Sequence, residues 1–387
     1  MNSVVFERPS LRQRLAPVFG GFDGPLALAV ALLAAISLVT MYSAGFDQGT
    51  RFADHGRNMA IALVVLFVAA QVSPHKLQRL AVPLYVVGVV LLVATALPAL
   101  GVTKKGATRW LNVGIVIQPS EVMKIAMPLM LAWWFQKREG QLRALDFVVA
   151  GLLLLMPAAL IIKQPDLGTA LLVLAAGLYV IFFAGLSWRL VVPALVLAAA
   201  AIVTLVLAQD RLCDPDVHWP LLREYQRHRI CTLLDPSTDP LGKGFHIIQG
   251  MIAIGSGGIG GKGFMQGTQT HLEFIPEHTT DFIFAAFGEE FGLVGALVLI
   301  AAFTFLIVRG LIIAAEAPTV FSRLLAGAVT MSFFTYAFVN MGMVIGILPV
   351  VGVPLPFVSY GGTAMVSIGL GLGILMSIAR SKRLMQS

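Results

Sequence analysis

Long runs of apolar residues separated by short polar breaks set the pattern of this chain. Ten such runs fall at about 25–45, 57–72, 80–100, 118–136, 147–163, 168–185, 190–208, 281–308, 321–346 and 361–379. Most are near the roughly 20 residues that a helix needs to cross a hydrocarbon layer. The pattern predicts an all-α polytopic membrane protein with about ten transmembrane helices, built as one domain over 1–387. The first run starts near Pro25 and lacks the short core of a secretory signal, so it reads as the first span.

Ten spans place both termini on one side. With that side in the cytoplasm, its loops and tails hold fourteen Lys and Arg, from Arg8 to Arg383. The opposite short loops and their flanks hold six: Arg51, Arg57, Lys104, Lys105, Arg109 and Lys163. This excess predicts cytoplasmic termini, and it leaves a long loop, 209–280, outside between spans 7 and 8. The outer side also receives the 101–117 segment, the turn around KQPDLG and the Pro/Gly-rich LPVVGVPLPFVSYGG at 348–362. A binding or catalytic site is expected there.

Composition agrees with the membrane reading. Hydrophobic residues make up 58% of the 387 and charged residues 12%, against roughly 25% charged in a soluble domain. The net charge of +7 comes from basic residues at the ends of apolar runs. No basic face with interleaved aromatics exists, so nucleic acid is not an expected partner. Cys213 and Cys231 lie in the same loop, where a disulfide or two unpaired thiols are both open readings.

Ionisable groups within or beside spans are costly and point to function. Glu121 and Lys124, in QPSEVMK, are three apart on one helix face: a structural ion pair or the lining of a site. Asp166, in KQPDLGT, sits at a helix start, where capping and a site role both fit. The run IGSGGIGGKGF at 254–264 contains G-x-G-x-x-G, but no strand precedes it and Lys262 is followed by Gly263. A phosphate cradle or a flexible loop remains for it.

The densest cluster is HLEFIPEHTTDFIFAAFGEEFG at 271–292. Glu273, Glu277, His278 and Asp281 lead into a long apolar helix, with Thr279 or Thr280 expected as its N-cap and Asp281 in its first turn. The helix dipole favours an anion there. A cap alone does not require the neighbouring acids, which suit general-base work or cation binding. The motifs H-E-x-x-H, G-x-S-x-G and K-T-G are absent, so covalent serine chemistry is not expected.

RWLNVG at 109–114, QPSEVMK, QPDLGTA, the IAIGSGG run, HLEFIPEHTTDFIFA and LPFVSYGG follow one another along essentially the whole chain. In this series the chain resembles the RodA/FtsW family of shape, elongation, division and sporulation (SEDS) proteins. GTQTHLEFIPE resembles the elongation branch more than the division branch. One departure is Thr279-Thr280-Asp281 where the family usually has His-Thr-Asp, with His278 one position earlier.

The resemblance implies a peptidoglycan glycosyltransferase of the bacterial inner membrane that polymerises lipid II on its outer face. It also implies a class B penicillin-binding protein and other elongation-complex membrane proteins as partners. By that analogy Asp281 is the catalytic carboxylate, either as base or as ligand to a divalent cation such as Mg or Mn shared with Asp166. Arg109, Lys124 and Lys262 are candidate stabilisers of the departing diphosphate. A lipid II transporter, a scaffold for a transpeptidase and a division-type polymerase are the competing readings.

Overall fold

Among the described residues, ten helices of 17 residues or more coincide with the ten apolar runs. The computed structural model describes residues 22–97, 101–104, 107–112, 116–214, 217, 219, 224–239, 242–272, 274–275 and 277–386. The helices are α1 (Gly24–Ala44), α2 (Arg51–Gln71), α3 (Pro74–Ala94), α4 (Pro119–Lys137), α5 (Ala144–Lys163), α6 (Leu167–Phe183) and α7 (Trp188–Leu207), then α12 (Ile283–Ala315), α13 (Val320–Val344) and α14 (Gly362–Gln386). Shorter helices α8 (Gln209–Leu212), α9 (Glu224–Leu234), α10 (Lys243–Gly257) and α11 (Thr268–His271) structure the 209–280 segment. Among the described residues, eight helices are long and apolar enough to span a membrane. The exceptions are α6, with 17 residues, and α4, which carries Glu121, Lys124 and Lys137.

Local chemistry starts several helices. Asp23 accepts from Leu26 N at 3.0 Å, Asp166 from Thr169 N at 3.3 Å and Thr319 from Ser322 N at 3.1 Å, each satisfying an otherwise orphaned amide. Pro25, Pro74 and Pro119 occupy first turns, where the missing N–H is not needed. Small residues then let backbones approach. A Cβ at Gly369 would lie 2.3 Å from Ala62 O, and one at Gly373 2.5 Å from Ala69 Cβ, so α14 seats directly on α2. Helix α13 is the most enclosed of the spans, and α7 buries no residue at all.

The 101–117 segment departs from a purely helical fold. It forms a small antiparallel sheet of β1 (Gly101–Lys104), β2 (Ala107–Asn112) and β3 (Val116–Ile117) in the order β1-β2-β3. Val102 pairs with Trp110 and Leu111 with Ile117. Strand β2 carries Arg109.

The glycine run is packing rather than a flexible loop or a phosphate cradle. Helix α12 breaks at Gly292 (φ 63°, ψ −159°). The amides beyond the break, Leu293 N and Val294 N, donate to Gly258 O at 2.9 Å and Ile259 O at 3.1 Å. In return Lys262 N and Gly263 N donate to Glu289 O and Glu290 O, both at 3.0 Å. Non-helical backbone survives at membrane depth only when satisfied in this way. A Cβ at Gly261 would lie 2.1 Å from Glu290 O, so this contact needs glycine.

Cys213 and Cys231 form a disulfide, with Cα atoms 5.6 Å apart. It ties the segment after α8 to α9.

Candidate active site

Asp281 stands just before α12 instead of in its first turn. The cap position is Phe282, which offers no side-chain hydrogen bond. Both threonines expected as caps are engaged elsewhere: Thr280 Oγ1 donates to Glu277 Oε2 at 2.6 Å, and Thr279 Oγ1 accepts from the Arg51 guanidinium. The 348–362 loop then closes over the turn. Ser359 Oγ donates to Thr280 O at 2.6 Å, and Tyr360 N to Thr279 O at 2.8 Å. Asn340 Nδ2, from α13, donates to Asp281 O at 2.9 Å and to Val353 O at 2.8 Å. Gly352 has φ +75°, and a Cβ there would lie 3.4 Å from Asp281 Oδ2; that φ is why glycine stands beside the carboxylate. These bonds hold the Thr279–Asp281 turn from α2, α13 and the 348–362 loop.

His278 and Glu277 brace the same turn. Ile275 O can only accept, so His278 Nδ1 carries the proton of their 2.6 Å contact, and His278 Nε2 accepts from Gln48 Nε2 at 3.2 Å. An imidazole satisfied at both nitrogens holds a backbone in place. Glu273 lies outside the described residues.

Asp166 brings the other half. Its Oδ1 meets Arg109 Nη1 at 3.5 Å and caps α6, while Gln118 Nε2 donates to Oδ2 at 2.9 Å. Arg109 lies over the Trp110 ring at 4.9 Å, and its buried Nε has no partner among the described residues. Arg229, from α9, sits within electrostatic reach of Arg109, Asp166 and Asp281. Burial lowers the proton affinity of its guanidinium from the ordinary value; Tyr225 and the two carboxylates oppose that shift and Arg109 adds to it. Two carboxylates and two guanidiniums thus share one half-buried basin.

Beneath it, Lys124 Nζ pairs with Glu121 Oε1 at 2.6 Å, and Ser367 Oγ donates to Glu121 Oε2 at 2.8 Å. The same ammonium lies 5.3 Å from the centroid of the Tyr336 ring. Gln118 and Glu121 form the polar end of a groove of about 580 Å³, otherwise lined by side chains such as Ile61, Leu84, Val122 and Leu370.

Lys262 is held elsewhere, at 2.6 Å from Glu289 Oε1 and 2.7 Å from Thr268 Oγ1. Glu289 also accepts from Gln269 N and Thr270 N, at 2.9 and 3.3 Å. Among the described residues no group of three His, Cys, Asp or Glu side chains gathers to hold a metal. A divalent ion shared by Asp166 and Asp281 would displace Arg109 and Gln118 from Asp166 and sit beside two guanidiniums, so the donor set does not fit one.

Sequence reasoning missed Arg51, Gln118, Arg229 and Asn340. Asn340 carried a signal, being an amide inside an apolar helix. Arg229 carried none: it is one basic residue among several in a polar stretch.

Fold and site together define a multi-pass membrane protein with a carboxylate–guanidinium basin at one end of its helix bundle. Residues 25–384 match the family FTSW_RODA_SPOVE, described as cell cycle protein, and the chain belongs to that family. It is 48% identical over 361 residues to the peptidoglycan glycosyltransferase MrdB of Escherichia coli (strain K12), covering 93% of this chain and 94% of that protein. The probable peptidoglycan glycosyltransferase FtsW of Geobacter metallireducens is 33% identical over 369 residues, covering 92% and 94%.

Solved structures agree. A chain from work on the structural coordination of polymerization and crosslinking by a peptidoglycan synthase complex superposes with TM-score 0.76 at 32% identity, covering 93% of this chain and 98% of that one. The rod shape determining protein RodA of Thermus thermophilus superposes with TM-score 0.67 at 26% identity, covering 93% and 97%.

Proposed function

We propose that this chain is an elongation-type peptidoglycan glycosyltransferase, which polymerises lipid II on the outer face of the inner membrane. The carrying observation is that Asp281 and Asp166 share a basin with Arg109 and Arg229 at the end of the bundle where the apolar groove opens. In this reading the termini are cytoplasmic and the 209–280 segment is a periplasmic part of a single transmembrane domain, 1–387.

The chemistry follows from charge. Asp281 takes the proton from the acceptor's 4-hydroxyl as that oxygen attacks the anomeric carbon of the donor. The bond from the anomeric carbon to undecaprenyl diphosphate breaks, and the negative charge on the leaving oxygen is met by guanidinium groups. Diphosphate leaves well, so one base plus cations suffices where most glycoside hydrolases use two carboxylates. Asp166 holds Arg109, and Glu121 holds Lys124, so each cation is oriented before substrate arrives. The groove is of a kind to take the polyprenyl tail.

The match to a chain of a peptidoglycan synthase complex supports a class B penicillin-binding protein as partner. The break in α12 is the observation that favours transport, since broken helices mark transporter sites. Against it, the Leu293 and Val294 amides and the Glu289 and Glu290 carbonyls at that break are engaged by the 258–263 backbone.

Purified chain given lipid II, with and without its transpeptidase, tests the proposal. Glycan chains from wild type and none from Asp281→Asn are expected. Translocation of lipid II in liposomes without polymer would replace this reading by transport.

A further inference from the structure

The 209–280 segment reaches the basin through α9, and how α9 is held gives it a part in the site. Arg229 and Cys231 lie two residues apart on this helix, about 200° around its axis, and so on opposite faces. One face is bonded to Cys213. The other carries Arg229, which lies within electrostatic reach of Asp166 and Asp281 and against the Tyr225 ring. Tyr225, one turn earlier, lies 5.8 Å from the Arg229 guanidinium and stacks on it. Arg227 adds a second tie to the same strand of chain as the disulfide, donating to Asp214 O at 2.8 Å and pairing with Glu224 at 2.6 Å. The stem leading in, α7, buries no residue and cannot fix this geometry by packing.

Four other cations near the basin already serve protein groups. Arg109 is on Asp166, Lys124 on Glu121, Lys262 on Glu289, and Arg51 on Thr279 and the Tyr360 ring. Arg229 rests on the Tyr225 ring within electrostatic reach of both carboxylates. A planar guanidinium in that position can chelate two phosphoryl oxygens at once.

We propose that Arg229 is a diphosphate-binding residue of this site and that the Cys213–Cys231 disulfide is its positioning device. The proposal rests on the glycosyl-transfer reading above. Arg229 grips the diphosphate of the lipid-linked donor and keeps its hold as charge grows on the leaving oxygen. The disulfide fixes the angle of α9 so that the guanidinium is in place beforehand.

The test uses the full-length chain in lipid nanodiscs, with binding of undecaprenyl diphosphate, undecaprenyl monophosphate and undecaprenol measured beside lipid II polymerisation. Arg229→Gln is expected to weaken undecaprenyl diphosphate binding by about 10- to 100-fold, to weaken monophosphate binding less and to leave undecaprenol binding unchanged. Arg229→Lys should recover part of the loss. Cys213→Ser/Cys231→Ser should raise KM as Arg229→Gln does, and adding it to Arg229→Gln should cause no further loss.

Wild-type binding of the diphosphate by Arg229→Gln would overturn the subsite. Additive losses in the combined variant would overturn the positioning role of the disulfide, and Arg229→Gln alone would still report on the subsite if the cysteine variant does not fold. Failure of the underlying reading looks different: wild type would make no polymer yet would still bind undecaprenyl diphosphate through Arg229.

Discussion

The two ends of the helix bundle use their charges in opposite ways. At the end where α1, α5 and α13 begin, charges meet in simple pairs. Arg309 clamps Asp23 with contacts of 2.9 and 2.5 Å, Arg138 meets Asp146 at 3.3 Å, and the Gln136 side chain accepts from Phe321 N at 2.8 Å. Each acid there also caps a helix or closes its first turn, so the chemistry ends with holding helices together. At the other end the acids sit in a basin with Arg109 and Arg229, and bonds from α13 and the 348–362 loop fix the backbone of the Asp281 turn. Pairing that completes itself stabilises a fold. Charge held open by a rigid frame is what a polar substrate can use.

Variants at the two ends should therefore separate activity from stability. The largest effect is expected at Asp281. Asp281→Asn keeps the shape and the Asn340 bond to the main chain but removes the base, and polymerisation should fall by about 10²- to 10⁴-fold with an unchanged melting temperature. Next is Lys124→Ala, which strands Glu121 within the bundle. It should cost roughly 3–5 kcal/mol of stability, read as a lower melting temperature in detergent, together with activity.

A smaller loss, about 2 kcal/mol, is expected for Asp23→Asn, which gives up a charged hydrogen bond to Arg309. Its activity per folded molecule should match wild type. Smallest is Leu197→Ala on α7, a side chain 70% exposed, which should shift stability by less than about 0.5 kcal/mol.

Much of the fold was legible in the sequence because spans are written in consecutive apolar residues. The short runs at 57–72 and 147–163 both correspond to full helices, Arg51–Gln71 and Ala144–Lys163. Asp166, Glu121, Lys124 and Asp281 were legible because an ionisable group beside lipid demands a reason. What escaped depends on contacts between distant segments. Nothing local says that Thr279 would bind Arg51, leaving α12 to start at Ile283 without its expected cap. Nor does the glycine run state that its partner is the backbone at Glu289–Val294. Arg229 enters the basin because α9 folds back there, and a pattern of hydrophobicity carries no such information.

On the proposed function, the Asp281 end performs chemistry and the Asp23 end holds the fold. The most direct test compares lipid II polymerisation per folded molecule in purified Asp281→Asn and Asp23→Asn, each beside its melting curve. Polymerisation reduced at least about 10²-fold is expected from Asp281→Asn at wild-type stability, and wild-type polymerisation from a less stable Asp23→Asn. Full polymerisation by Asp281→Asn would contradict that division of roles.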